Sequence, residues 1–247
     1  MTLALTVLGC SGTYAAPGGA CTGYLVQGGG VNVLLDCGPG TIGNLQQHVA
    51  LGDLDAVVVT HEHPDHCGEL GVLQNAWTWA LERQGLPVHG PAGTLAKAEA
   101  ASSAGTVAPA FDWRVTADGT DVAIGDLRWR FSRTDHPVET LAVRVDHPDG
   151  RSLAFSADTG PAWSFEQLGP GIDLAVCEAT FLADREPEGI SHLSARQAGA
   201  MARAAGVGRL VITHHWPGDD LDAHAREAAA AFGAPVEVAA IHERYIA

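Results

Sequence analysis

The sequence predicts an α/β fold in which two mixed β-sheets pack face to face, with helices on both outer faces. Short apolar, β-branched runs alternate with turn residues through both halves of the chain. Each strand-rich stretch is followed by helical segments, the order expected when sheets must cover one another and helices must cover the sheets. No repeat period, low-complexity stretch or long linker divides the 247 residues, so a single domain over 1–247 is expected.

Residues 2–8 alternate as a strand and lead into the loop Gly9-Cys10-Ser11-Gly12-Thr13. Strands at 23–26 and 31–35 flank the turn Gly28-Gly29-Gly30, and the second ends in Asp36-Cys37-Gly38-Pro39-Gly40. A helix is expected over 42–49, with His48 at its surface, and a buried strand over 56–60. The spacing of Leu70, Leu73, Trp77 and Leu81 predicts one helix over 69–83. A short strand and turn follow at 88–91, then a helix at 94–101. Strands are expected at 111–115, 121–124, 127–133, 141–146 and 152–156, joined by turns at 117–119 and 147–150, where His147 is a turn residue. The last third alternates: helix 165–168, strand 173–177, helix 195–205, strand 209–213, helix 222–231 and strand 236–240.

The formal charge of −15 argues against stable nucleic-acid binding, because a phosphate backbone needs a basic surface. The N-terminus has no basic region or cleavage site, and no apolar run is long enough to span a bilayer, so a cytoplasmic protein without membrane partners is expected. Five scattered cysteines (Cys10, Cys21, Cys37, Cys67, Cys177) lack paired spacing and read as reduced thiols.

The segment His61-Glu62-His63-Pro64-Asp65-His66 carries the chemistry. Three imidazoles and a carboxylate within six positions are ligand types preferred by Zn²⁺ and similar metals. They follow the strand at 56–60, where His61 and His63 can point to one side while Asp65 and His66 reach a neighbouring point. That suits two adjacent divalent ions, each with an open position. Three other strand ends place a His or Asp directly after an apolar run: Asp135-His136, Ala157-Asp158 and His214-His215. Cys67 follows His66, but the histidines and acids already fill the expected positions.

These motifs, with Ser-Ala-Asp-Thr-Gly at 156–160, Cys-Glu-Ala-Thr-Phe at 177–181 and Ser-His-Leu-Ser-Ala at 191–195, resemble the metallo-β-lactamase superfamily and its ribonuclease Z-like branch. Leu8-Gly9-Cys10-Ser11-Gly12 and Leu35-Asp36-Cys37-Gly38-Pro39-Gly40 resemble that branch's opening strands. The resemblance implies an αββα sandwich with a dinuclear centre at one edge. By position it assigns His61, His63 and His136 to one metal, Asp65, His66 and His214 to the other, and Asp158 to both, with His215 the alternative to His214. It implies that Asp36 orients a ligand, that His192 is a general acid or only a neighbour of a helix start, and that Glu178 orients His192 or merely packs its turn. Asp65 would steady the attacking water. Zn²⁺ is the expected metal, with Mn²⁺ or Fe²⁺ also suited to these ligands.

Enzymes of this branch that mature transfer RNA carry a protruding arm, expected between the third ligand and the bridging aspartate. Residues 137–157 leave no room for it. The armless form resembles actinobacterial class II-like cyclic nucleotide phosphodiesterases. The implied activity is hydrolysis of a small phosphodiester such as 3′,5′-cyclic AMP, with lactones, thioesters and other esters as the alternative, and with transfer-RNA processing and, given the full ligand set, a non-catalytic scaffold both disfavoured. A homodimer is implied by resemblance alone.

Overall fold

The computed structural model describes residues 2–186, 189 and 191–247. In chain order the elements are β1 (Ala4–Gly9), β2 (Gly23–Gly28), β3 (Val31–Leu35), α1 (Thr41–Leu45), β4 (Ala56–Val58), α2 (Pro64–Cys67), α3 (Leu70–Asn75), β5 (Leu86–Gly90), α4 (Ala92–Ala101) and β6 (Phe111–Val115). The second half contributes β7 (Asp121–Ile124), β8 (Leu127–Arg133), β9 (Leu141–Asp146), β10 (Ser152–Phe155), β11 (Leu174–Glu178), α5 (Ala195–Ala204), β12 (Arg209–Thr213), α6 (Leu221–Phe232), β13 (Glu237–Val238) and β14 (Arg244–Ile246). Two sheets result, ordered β14-β1-β2-β3-β4-β5-β6 and β13-β12-β11-β10-β9-β8-β7. Both are mixed: β1 to β3 and β7 to β10 pair antiparallel, whereas β3 to β6 and β10 to β13 pair parallel.

Strand periodicity sorts the side chains into layers. Val33 and Val58 of the first sheet meet Trp129, Val143, Phe155, Val176 and Val211 of the second in the central core. Intervening residues face outward: Leu25, Leu34 and Val57 meet Leu45, Leu73 and Trp77, while Ala175, Leu210 and Ile212 meet Ala198, Ala202 and Phe232. Parallel strands buried on both faces need apolar residues on both, which explains their near-continuous hydrophobic runs. Each fully buried Val, Leu, Ile or Phe among them contributes about 1.5–3 kcal/mol.

The helices on the second sheet have clear start signals. Ser194 and Gln197 form a reciprocal capping box at α5, and Asp220 accepts from the Ala223 amide at 2.9 Å to begin α6. α6 stops at Gly233, whose left-handed φ of 86° favours a residue without Cβ. The two helices pack so closely that a Cβ at Gly199 would overlap the Ala228 carbonyl.

Some expected elements differ. The helix over 69–83 is α-helical only to Asn75. Ala76–Ala80 then forms a wider turn, in which the Leu81 amide reaches back to the Ala76 carbonyl at 3.0 Å. Trp77 thereby stays buried while Trp79 faces solvent. The helix at 42–49 shortens to Thr41–Leu45, because Gln46, Gln47 and His48 have no apolar face to bury. Strand 236–240 is reduced to Glu237–Val238, an edge position, and β14 adds an edge strand in a charged segment. Among the described residues, no helix is long and apolar enough to cross a membrane.

Candidate metal centre

The candidate ligands lie at the carboxyl ends of the strands, where open α/β sheets place their sites. β4 runs into Thr60 and His61, and the short helix α2, started by Pro64 at its first position, presents Asp65 and His66. β8 leads to His136, β10 to Asp158, β11 ends at Glu178 and β12 leads to His214. Asp36, Ala157, His214 and Thr13 all adopt left-handed backbone, with φ of 59°, 51°, 66° and 65°. Such conformations are unfavourable for residues with a Cβ and concentrate where geometry serves a site.

The structure brings all of the expected ligands together. Donor atoms of His61, His63, His136 and Asp158 lie within 4.8 Å of one another, as do those of Asp65, His66 and His214. Asp158 joins the groups: its Oδ2 faces His61 Nε2 at 3.6 Å and His136 Nε2 at 3.9 Å, while its Oδ1 faces His66 Nε2 at 3.1 Å and His214 Nε2 at 3.3 Å. Asp65 Oδ2 accepts from the Thr13 amide at 2.7 Å and stands 3.4 Å from His214 Nε2.

Four of the imidazoles are oriented by an outer acceptor at Nδ1, which leaves Nε2 for the centre. His66 Nδ1 donates to Asp36 Oδ2 at 2.7 Å, and His61 Nδ1 to Thr60 Oγ1 at 3.0 Å. Thr60 in turn donates through its amide and its hydroxyl to Asp36, at 2.7 and 2.9 Å. His136 Nδ1 donates to the Ser191 carbonyl at 3.0 Å, and His214 Nδ1 to Thr180 Oγ1 at 2.9 Å. His63 instead turns Nδ1 inward, 3.2 Å from His136 Nε2. Asp36 thus occupies the orienting place expected for it. Thr60, Thr180, Thr13 and the Ser191 carbonyl were not singled out from sequence; only the position of Thr60, directly before His61 at a strand end, hinted at a role.

Electrostatics favour cation binding. Burial, followed by the charge of His66, pushes the His61 imidazole down to about 3, and burial also lowers His63 and His136, so their lone pairs are free. Burial opposes ionisation of Asp158 and Asp65, yet the neighbouring histidines hold both carboxyls well below the usual range. His61 Nε2 and Asp158 Oδ1 are buried without a hydrogen-bond partner among the described residues, and both face the cluster. Such orphans are costly unless a cation satisfies them, so the donor set fits divalent metal.

His192 sits beside the centre, its ring stacked on His214 with centroids 5.4 Å apart, and its Nδ1 lies 2.9 Å from Glu178 Oε1. Glu178 is fully buried and also accepts from the Thr159 amide, the Thr180 hydroxyl and the Leu193 amide. It both orients His192 and knits the turn. His215 points away: its Nδ1 faces the Ala179 carbonyl at 3.2 Å and its ring packs on His224. His48 is exposed beside His242, and His147 pairs with Asp149 in a turn. Cys67 lies outside both ligand groups, its thiol 3.4 Å from the Glu62 carbonyl and pushed up to about 11 by burial. All five cysteines are free thiols.

The chain is similar to known proteins over nearly its whole length. A protein of Mycobacterium leprae, described only as uncharacterised, is 34% identical over 258 residues, covering 99% of this chain and 89% of the relative. Ribonuclease Z of Mycobacterium bovis is 33% identical over 246 residues, covering 87% and 86%. The Bacillus subtilis protein YhfI, named a probable metallo-hydrolase, is 32% identical over 218 residues, covering 85% and 86%. The crystal structure of YhfI superposes with a TM-score of 0.89 at 27% identity, covering 99% of this chain and all of that one. The family described as the beta-lactamase superfamily domain matches residues 31–215. With two mixed sheets, a His/Asp cluster able to hold metal ions and this match, the chain belongs to the beta-lactamase superfamily and is a metallo-hydrolase of that fold.

Proposed function

We propose that the protein is a phosphodiesterase with two divalent ions, Zn²⁺ first among them, acting on a small substrate such as 3′,5′-cyclic AMP. The observation that carries the reading is the Asp158 carboxylate, whose two oxygens face two different histidine groups. In this reading His61, His63 and His136 would hold one ion and Asp65, His66 and His214 the other, with Asp158 available to both. Bound divalent ions supply Lewis-acid activation of water and neutralise charge on the non-bridging oxygens of a phosphodiester.

The chain's own residues do the rest. Asp65, fixed by the Thr13 amide, orients the attacking water. Burial lowers the pKa of His192, but the charge and hydrogen bond of Glu178 override it and lift the imidazole to about 9. Glu178 thereby favours the protonated imidazole, the form a proton donor needs. With Nδ1 committed to Glu178, its Nε2 proton goes to the departing alcohol oxygen. His66 is raised well above its ordinary value, burial being outweighed by Asp158 and Asp36, so a cation held at its Nε2 would compete with a proton there.

Small substrates are favoured over transfer RNA by two features. Residues between His136 and Asp158 form the compact hairpin of β9 and β10, and the chain is strongly acidic. The same centre is chemically able to open a lactone or thioester, which is the second reading. A panel of 3′,5′-cyclic AMP, linear dinucleotides, precursor transfer RNA and lactones, presented to Zn²⁺- or Mn²⁺-loaded protein, tests the assignment. Turnover confined to lactones reverses the order, and cleavage of precursor transfer RNA alone restores the nuclease reading.

A further inference from the structure

Two aromatic side chains next to the centre take no part in holding its ligands. Phe181 is buried and locked to the His192 segment: its amide donates to the Leu193 carbonyl at 3.1 Å, and the Ala195 amide donates to the Phe181 carbonyl at 2.8 Å. Its ring stands edge-on to the His192 imidazole, centroids 6.3 Å apart at 79°. Trp216 leaves β12 two residues after His214, and its amide donates to Asp219 Oδ2 at 3.2 Å. Its indole meets Phe181 edge to face, centroids 5.4 Å apart at 76°. Trp216 is thus held along one edge by a rigid neighbour while 40% of it stays exposed.

Tyr14, 56% exposed, sits on the loop that approaches the same side of the centre. That loop passes so close that a Cβ at Gly12 would stand 2.7 Å from His214 Nδ1, and its Thr13 amide binds Asp65. Large apolar rings left in water beside a polar centre gain stability when a flat apolar group covers them. A chain with a formal charge of −15 has little long-range attraction for an anionic substrate, so affinity beyond the centre must come from such surfaces.

We propose that Trp216, seated on Phe181, stacks the planar heteroaromatic ring of the substrate, a nucleobase, while the attached phosphodiester reaches His192 beside the centre. This rests on the phosphodiesterase reading and deepens it: the ledge selects the substrate's base rather than its phosphate. Stacking of a base on an aromatic side chain is sequence-tolerant, so purines are preferred by area rather than by a hydrogen-bond code.

Adenosine, which carries no phosphate, tests the ledge apart from the chemistry. Trp79 is the other strongly exposed indole and lies on the far helical layer, so the titration uses metal-loaded W79F protein. Adenosine is expected to quench its emission, and the quench is expected to vanish in W79F/W216F. With 3′,5′-cyclic AMP, Trp216→Ala is expected to raise KM about tenfold with a far smaller change in kcat. Trp216→Phe, which keeps a ring, is expected to recover most of the affinity. A quench that persists without Trp216, one that follows protein concentration instead of adenosine, or a KM untouched by Trp216→Ala overturns the proposal. A Trp216-dependent quench without hydrolysis of any phosphodiester upholds the ledge and removes the phosphodiesterase reading; hydrolysis with a Trp216-independent KM does the reverse.

Discussion

Glu178 Oε1 lies 2.9 Å from His192 Nδ1, and Glu178 Oε2 accepts from the same Thr180 hydroxyl that receives His214 Nδ1. One buried carboxylate therefore orients two imidazoles with different tasks. Glu178→Gln removes the charge while keeping the shape. It is expected to lower kcat about 10–100-fold, as loss of an outer partner commonly does. Because Glu178 raises the His192 pKa, the alkaline limb of the pH–rate profile is expected to move to lower pH. An unmoved limb with a lowered melting temperature would reduce Glu178 to a packing role.

His192→Ala should leave bound metal unchanged and slow turnover by ~10²–10⁴-fold, the range for a lost general acid. Elemental analysis and steady-state rates on one preparation check both halves. A wild-type rate in this variant would remove His192 from the mechanism.

Asp158 faces both histidine groups, so Asp158→Ala is expected to strip metal and abolish turnover together. It also removes one of the two carboxylates that raise the His66 imidazole, leaving Asp36. Elemental analysis showing both ions retained would overturn the bridging assignment. Treatment of the wild type with a chelator should lower its melting temperature, and re-adding Zn²⁺ should restore it.

Tyr24 on β2 and Thr213 on β12 share a buried 2.8 Å hydrogen bond between their hydroxyls, joining the two sheets one residue before His214. Tyr24→Phe leaves the Thr213 hydroxyl without this partner and is expected to cost about 1–3 kcal/mol. For a chain of this size that corresponds to a fall in melting temperature of several degrees, roughly 2–4 °C per kcal/mol, read by calorimetry.

His89 on β5 is buried, neither ring nitrogen has a partner among the described residues, and burial followed by the Arg114 charge lowers it to about 4. The unfolded chain binds this proton near pH 6.5 and the folded chain does not until about pH 4. Stability is therefore full above 6.5 and falls as pH drops through that window, by roughly 2 kcal/mol at pH 5. His89→Leu should flatten the dependence between pH 7.5 and 5 in urea titrations. An equally steep loss in the variant would place the acid sensitivity elsewhere.

Strands such as Phe111–Val115, Leu127–Arg133 and Arg209–Thr213 could be read residue by residue from sequence, because a strand's period and its bounding turns are local properties. The helix expected over 69–83 broke at Asn75 because nothing in a 3.6-residue pattern announces a widened turn at Trp77. At the centre, the repeated His or Asp after apolar runs was legible, and the structure gathers those residues in one place. What receives each Nδ1 was not. Thr180 and His214 are 34 residues apart, His136 and Ser191 55 apart, and only the packing of the sheets makes them neighbours. The resemblance to a known family, rather than periodicity, supplied His192 and Asp158 with roles.

Each ligand group draws on both layers: His61, His63, Asp65 and His66 follow a strand of one sheet, whereas His136, Asp158 and His214 follow strands of the other. Ions held there would rivet the sandwich shut along its open edge. Cohesion and catalytic competence would then rise and fall as one property, and starvation for metal would loosen the molecule first at the seam where its chemistry takes place.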